Sequence, residues 1–232
     1  MKKMILAATL GLMLFAGSAL ADSIAGRVGL TARGGVSYVF DSEFTSEAVA
    51  SGILGGVDKD IEADIGWTGG GGIIYGITNN LSIYFDINYL QTKLKMSGGG
   101  GIWKEEFGTG KTLDFALGAQ WRFMPSKAFV PYIGAGFDFL WNKIDTTHES
   151  PSGWAPDTSF DVDDTFGVHL TAGADYFFTP NIAINAEIRG LLSTKGEMTY
   201  KYPGDISFTA AKYNPSNISG FIGIRYFFGN QK

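Results

Sequence analysis

From Ile182 to Ser193 the chain alternates strictly between two kinds of residue. Ile182, Ile184, Ala186, Ile188, Gly190 and Leu192 fall on one face, and Ala183, Asn185, Glu187, Arg189 and Ser193 on the other. A repeat of two belongs to a β-strand, because a helix would scatter both sets around its circumference. Leu113 to Phe123 repeats the pattern, with Leu113, Phe115, Leu117, Ala119, Trp121 and Phe123 opposing Asp114, Ala116, Gly118, Gln120 and Arg122. Eight such segments, at about 27–40, 61–77, 81–96, 112–124, 130–143, 165–178, 182–196 and 216–228, predict an all-β chain. The 33 glycines are about twice the usual share, but 18 Phe, 10 Tyr and 5 Trp accompany them, so the chain is neither linker nor collagen. The absence of cysteine excludes disulfides, thiolate metal sites and thiol nucleophiles.

Residues 1–21 read as a secretory signal peptide. Lys2 and Lys3 precede a short apolar stretch, Met4 to Phe15, and Ala19-Leu20-Ala21 supplies small residues for cleavage. Removing the two lysines takes the formal charge from −5 to −7, and no basic stripe is present, which argues against nucleic acid as a partner. Residues 22–232 contain no apolar run long enough for a membrane helix. Any membrane insertion is therefore through strands.

The connections alternate in length. Short turns fall at Thr78-Asn79-Asn80, Pro125 to Phe129 and Thr179-Pro180-Asn181, and long loops at about 41–60, 97–111, 144–164 and 197–215. All short turns thus lie at one end and all long loops at the other, the pattern of an eight-stranded antiparallel up-and-down transmembrane β-barrel. On the apolar face the aromatics gather at two levels. Tyr75, Trp121, Phe123, Tyr176, Phe178, Tyr226 and Phe228 lie near the short-turn end, and Tyr38, Phe40, Trp67, Phe139, Trp141 and Phe166 near the long-loop end. Two belts enclosing aliphatics match the girdles at the two membrane interfaces. The segments exceed the roughly 9–11 residues that cross a bilayer, so they are expected to project above it on the loop side.

Laid out this way, the chain resembles the small eight-stranded bacterial outer-membrane proteins and, among them, the OmpW family. Phe129-Val130-Pro131-Tyr132-Ile133-Gly134-Ala135-Gly136 is similar to that family's fifth strand, and Ala119-Gln120-Trp121-Arg122-Phe123 to its fourth. OmpA- or OmpX-like barrels share the architecture. The resemblance implies the bacterial outer membrane, contact with its lipid and lipopolysaccharide, and insertion by the barrel-assembly machinery through a last strand ending at Phe228. It also implies passage of small hydrophobic compounds from the barrel mouth sideways into the membrane.

The polar face carries Arg27, Arg33, Glu62, Asp64, Asp86, Asp114, Arg122, Asp138, His169, Asp175, Glu187, Arg189 and Arg225. Eight strands leave an interior just wide enough for side chains, and an unpaired buried charge costs several kcal/mol. A paired plug is the expected arrangement, with Arg33, Asp86, Asp114, Arg122, Asp138, Asp175, Glu187, Arg189 and Arg225 as its network and Arg189 diagonal to Asp175 across the Pro180-Asn181 turn. A charged conduit is the alternative use of the same residues.

No catalytic set emerges. His169 and Thr171 share a strand face, faintly like the His-x-Ser of lipid A deacylases, but the acid is not at the expected spacing. Gly110-Lys111-Thr112 lacks the first glycine of a phosphate-binding loop. The acids Asp41, Glu43, Glu47, Asp58, Asp157, Asp161, Asp163 and Asp164 have no ligand spacing, so neither metal nor cofactor is expected. Lys93, Lys95, Lys104, Lys111, Lys201 and Lys212 lie at the loop end, at the level of lipopolysaccharide phosphates.

Apolar residues in the loops are the sharpest functional feature. Val49, Ile53, Leu54, Trp103 and Trp154 are candidates to bind a small hydrophobic molecule, with Phe107, Ile206 and Phe208 nearby in the sequence. The expected function is binding or passage of such molecules through an apolar mouth, without enzymatic activity. A structural or surface-interaction protein acting through its loops is the alternative.

Overall fold

The computed structural model describes residues 23–46, 57–98, 100–146, 159–201 and 207–229. Its strands are β1 (Val28–Val39), β2 (Ser42–Phe44), β3 (Val57–Ala63), β4 (Ile65–Gly76), β5 (Leu81–Gly98), β6 (Trp103–Arg122), β7 (Phe129–Thr146), β8 (Ser159–Val162), β9 (Thr165–Phe177), β10 (Ile182–Ser193), β11 (Gly196–Lys201), β12 (Ser207–Tyr213) and β13 (Asn217–Phe227). All pair antiparallel, and they close into two stacked rings. The lower ring runs β1, β4, β5, β6, β7, β9, β10, β13 and returns to β1, the eight-stranded barrel read from the sequence. The upper ring uses the continuing ends of β5, β6 and β7 and closes through β8, β11, β12, β2 and β3.

Five of the eight walls are broken at one height, at residues 40–41, 64, 163–164, 194–195 and 214–216. Polar side chains and backbone stitch this seam. Asn142 donates to the Asp163 carbonyl at 3.2 Å and to Thr165 Oγ1 at 3.0 Å, and the Asn214 amide donates to Ser42 Oγ at 2.9 Å. Phe40 N donates to the Ser216 carbonyl at 2.9 Å. These bonds supply the partners that interrupted ladders would otherwise lack.

The seam separates two environments of opposite polarity, and β5 shows how the sequence makes them. Its outward residues are Ile83, Phe85 and Ile87 below, then Gln91, Lys93 and Lys95 above, while its inward residues are Ser82, Asp86 and Asn88 below, then Leu94 and Met96 above. The lower ring is apolar outside and polar inside, as a membrane barrel requires. Its upper continuation has the reverse arrangement, that of a barrel standing in water.

This inversion explains where the sequence reading misplaced structure. The stretch 97–111 is not a long loop: β5 runs to Gly98 and β6 starts at Trp103, around a tight turn in which Gly100 and Gly101 take φ of +73° and +85°. The stretches 41–60 and 197–215 likewise contain β2, part of β3, β11 and β12. Alternation persists in them, but with charged residues outward. The segment 61–77 is two strands, because Ile61 faces inward and Ile65 outward, so the phase slips at Asp64. Glu62 and Asp64 consequently leave the lumenal face and pair on the outer wall with Lys104 and Lys95.

Both aromatic belts face outward. Tyr75, Trp121, Tyr226 and Phe228 are exposed at the short-turn end, and Tyr38, Trp67, Trp141 and Phe166 at the other. Phe228 packs edge-on against Tyr226 with centroids 4.9 Å apart, and its amide donates to the Val28 carbonyl at 2.8 Å, closing the barrel.

Tight approach of strands makes glycine necessary on β4. A Cβ at Gly72 would lie 2.1 Å from both the Phe85 carbonyl oxygen and Asp86 Oδ1. Gly72→Val is therefore expected to destabilise the barrel by about 1–3 kcal/mol or more, as overpacking does, and to dislodge Asp86. A lowered midpoint in urea unfolding from lipid vesicles measures it, and an unchanged midpoint would contradict the packing described.

Candidate functional site

The interior is built in three layers. At the short-turn end, Ile24, Ile74, Val130, Phe177, Ala183 and Phe227 form a small buried apolar floor. Arg27 caps it by donating to the carbonyls of Phe227, Phe228 and Pro180 at 3.0, 3.2 and 3.1 Å.

Above the floor lies a continuous charge network carried on inward positions of seven lower-ring strands. Arg33 binds Asp86 at 2.9 Å, Glu187 at 2.8 Å and the Asn88 side-chain oxygen at 3.1 Å, with its guanidinium 4.5 Å from the Phe221 ring centroid. Asp175, fully buried, accepts from Arg122 at 2.8 Å, from Arg225 at 2.8 and 2.9 Å and from Asn185 at 2.9 Å. Arg189 binds Asp114 at 2.8 Å and also Asp138. It does not meet Asp175, because the register places Asn185 opposite Asp175 and Arg189 opposite Thr171, two full repeats further up.

His169 sits inside this network. Its Nδ1 is 2.7 Å from Asp138 Oδ2 and its Nε2 faces the Tyr84 hydroxyl. A histidine held on both nitrogens by buried partners, 2% exposed, is a member of the packed layer. Among the described residues no group of three or more His, Asp or Glu side chains is placed to hold a metal ion.

The third layer fills the upper ring. Phe44, Ile61, Leu94, Met96, Phe107, Ile144, Met198, Ala210, Ala211 and Tyr213 form one buried apolar cluster. Between it and the charges stands a polar collar in which Thr112 Oγ1 is 2.9 Å from the Asn142 side-chain oxygen and 3.4 Å from the Tyr213 hydroxyl. The apolar cup was missed in the sequence except for Phe107. Its signal is the inverted alternation Lys93-Leu94-Lys95-Met96, in which apolar residues keep period two but face the opposite way. Of the loop candidates, Val49, Ile53, Leu54, Trp154 and Ile206 lie outside the described residues, as do the side chains of Trp103 and Phe208.

The outer wall of the upper ring is ionic. Lys93 binds Glu106 at 2.8 Å, Lys95 binds Asp64 at 2.6 Å, Lys104 binds Glu62, and Lys111 and Lys143 share Asp145. Four of the six lysines expected to meet phosphates are thus committed to carboxylates, and Lys201's side chain lies outside the description. The hydrogen bonds from Lys111 and Lys143 hold the Asp145 carboxyl below the usual aspartate range of about 3.9. A depressed pKa stabilises the folded state above the unfolded value and loses that contribution as pH falls through the folded one. Lys111→Met is expected to move the Asp145 titration upward toward the ordinary range. Carboxyl chemical shifts of the protein in detergent micelles, followed from pH 2 to 6, read this directly, and an unmoved midpoint would count against the pair.

The sequence matches the family described as outer membrane protein beta-barrel domain over residues 7–226. The chain belongs to that family. Among solved structures, OprG from Pseudomonas aeruginosa aligns with a TM-score of 0.69 at 17% identity, covering 91% of this chain and 100% of its own. The outer membrane protein AlkL, in lipid bilayers, aligns with a TM-score of 0.53 at 15% identity, covering 94% of this chain and 96% of its own. Neisserial surface protein A gives a TM-score of 0.50 at 14% identity over 88% of this chain and 98% of its own. OprG and AlkL align over nearly the whole chain, in agreement with the eight-stranded barrel read from the sequence. A comparison with functionally curated proteins gives no match. Members of this family lie in the bacterial outer membrane, and barrels of this kind turn their short connections toward the periplasm and their longer loops outside the cell.

Proposed function

We propose that this outer-membrane barrel takes up small hydrophobic molecules on the apolar lining of its upper ring and releases them sideways into the membrane. The observation that carries the reading is the inversion of polarity at the seam. A ring standing in water with an apolar interior offers apolar contacts to a solute that parts its packed side chains, whereas the charge network beneath it blocks axial travel. An apolar solute entering that network would strip paired charges of their partners, at several kcal/mol each. The sideways path avoids those charges, because five neighbouring walls, β1/β2, β10/β11 and β12/β13 among them, are interrupted side by side at the seam, where only the hydrogen bonds that stitch it would have to part. The OmpW resemblance supports the same route.

The test is a paired measurement on the refolded protein. Proteoliposomes should take up a panel of small hydrophobic compounds faster than empty liposomes, while planar bilayers containing the same protein carry no steady ion current, since the lumen is filled. Uptake no faster than in empty liposomes would sink the proposal. A steady current would sink the claim of a sideways exit, because it would show an open axial path.

A further inference from the structure

The lipid-facing surface over β7, β9, β10 and β13 is not flush. Gly190 points outward between Ile218 on β13 and Leu170 on β9, and a Cβ built on it would meet no atom within 4 Å. Around it runs an apolar groove of about 610 Å³, bordered by Phe40, Phe137, Leu170, Leu192 and Ile218. The walls that border this groove on one side continue across the seam into β2, β11 and β12. There they enclose a second pocket of about 420 Å³, lined by Glu43, Glu197, Thr209 and Lys212 among others. Phe40 and Glu43 are three residues apart on one wall, so along an extended chain the two pockets are separated by about 10 Å.

We propose that groove and pocket form a single docking site for a phosphorylated glycolipid of the outer leaflet, with an acyl chain along Gly190 and the headgroup against Lys212. The position of each half selects the occupant. The groove lies on the apolar wall among the residues of the loop-side belt, since Phe40 borders it and Tyr38 is in register with its Ile218, so it opens on the outer edge of the hydrocarbon. The pocket lies on the hydrophilic wall of the upper ring, so it stands in the headgroup layer. A molecule that spans both must have a chain and a polar head in that order.

The polar lining selects the head. Lys212 is exposed and makes no ion pair with the described residues, which leaves its ammonium for an anionic group such as phosphate. The neighbouring Glu197 carboxylate and Thr209 hydroxyl suit the hydroxyls of a sugar. Glu43 is held by Lys195 at 2.9 Å, which offsets its repulsion of the same phosphate. A zwitterionic phospholipid would meet the lysine but offers no hydroxyl-rich head.

Native mass spectrometry tests this on the full mature protein, reconstituted in vesicles of phosphatidylethanolamine with a minor fraction of lipopolysaccharide and no added hydrophobic compound. The measurement is thereby independent of the uptake proposed above. Wild-type barrel should retain lipopolysaccharide in preference to phosphatidylethanolamine. Gly190→Leu fills the groove from the lipid side, where the added side chain has room, and should lower retention about tenfold, the equivalent of roughly two methylene groups no longer buried. Lys212→Gln removes the charge without setting a third carboxylate between Glu43 and Glu197, its cross-strand partners, and should lower it by a similar factor. The heat-dependent gel shift of a closed barrel confirms that each variant is folded. Equal retention by folded wild type and both variants would overturn the proposal. So would preference for phosphatidylethanolamine, or a lipid-free barrel dimer.

Discussion

Replacing Asp175 by alanine is expected to cost about 3–5 kcal/mol of barrel stability, the range observed when one partner of a buried ion pair is removed. Asp175 is fully buried and accepts from Arg122, Arg225 and Asn185. Its loss strands two guanidinium groups in a closed interior. Their remaining support is uncharged: Arg225 keeps a 3.2 Å hydrogen bond to Thr31 Oγ1 and lies 5.4 Å from the Tyr132 ring centroid, and Arg122 lies 5.7 Å from that of Phe177. Asp175→Asn keeps the acceptor oxygen but not the charge, so it should fall between wild type and alanine. Urea unfolding in lipid vesicles, followed by tryptophan fluorescence and gel mobility, gives the ordering. Alanine and wild-type midpoints that coincide would show that water reaches the arginines and that the lumen is not packed as described.

The second large effect concerns the cup. Met198 is buried on β11, facing the interior of the upper ring. Met198→Asn replaces apolar lining by an amide that a bound apolar solute would have to desolvate. Losing the apolar contact is worth about 1.5–3 kcal/mol, so affinity for a hydrophobic fluorophore, and uptake with it, should fall roughly ten- to hundredfold. The lower ring keeps its own closed hydrogen-bond ladder, and the gel shift should be unchanged. Unaltered uptake by this variant would remove the cup from the path of the solute.

The lower ring was legible because its physics is monotonous. Ile182 to Leu192 and Leu113 to Phe123 each keep apolar residues on one parity, lipid demands this along the whole crossing, and the aromatic belts mark both ends of it. The charge network was legible in membership, because no other place in such a barrel accepts Arg33 or Asp86. Its pairing was not. Arg189 finds Asp114 and Asp138 on β6 and β7 across the lumen, and closure distances of that kind leave no trace in local spacing. The upper ring was hidden for a different reason. Lys93-Leu94-Lys95-Met96 alternates as cleanly as any lower strand, but its apolar side faces the axis, and the one-residue slip at Asp64 makes Ile61 and Ile65 look like neighbours on one face. Crossing from lipid into water reverses what a hydrophobic residue signifies, and the chain marks that crossing only with short polar interruptions.

The charge network also constrains how the chain enters its membrane. Arg33, Asp86, Asp114, Arg122, Asp138, Asp175, Glu187, Arg189 and Arg225 come from β1, β5, β6, β7, β9, β10 and β13, so no single hairpin carries a charge-balanced, self-satisfied piece of it. A hairpin crossing alone would drag bare charge through hydrocarbon, at roughly 2–4 kcal/mol for each arginine at the midplane. Arg225, on the final strand, meets the Asp175 carboxylate that it shares with Arg122 only when β13 docks. Insertion is therefore a concerted event, in which the polar axis travels as a hydrated column enclosed by partly joined strands. The network is complete only once β13 has joined both β10 and β1.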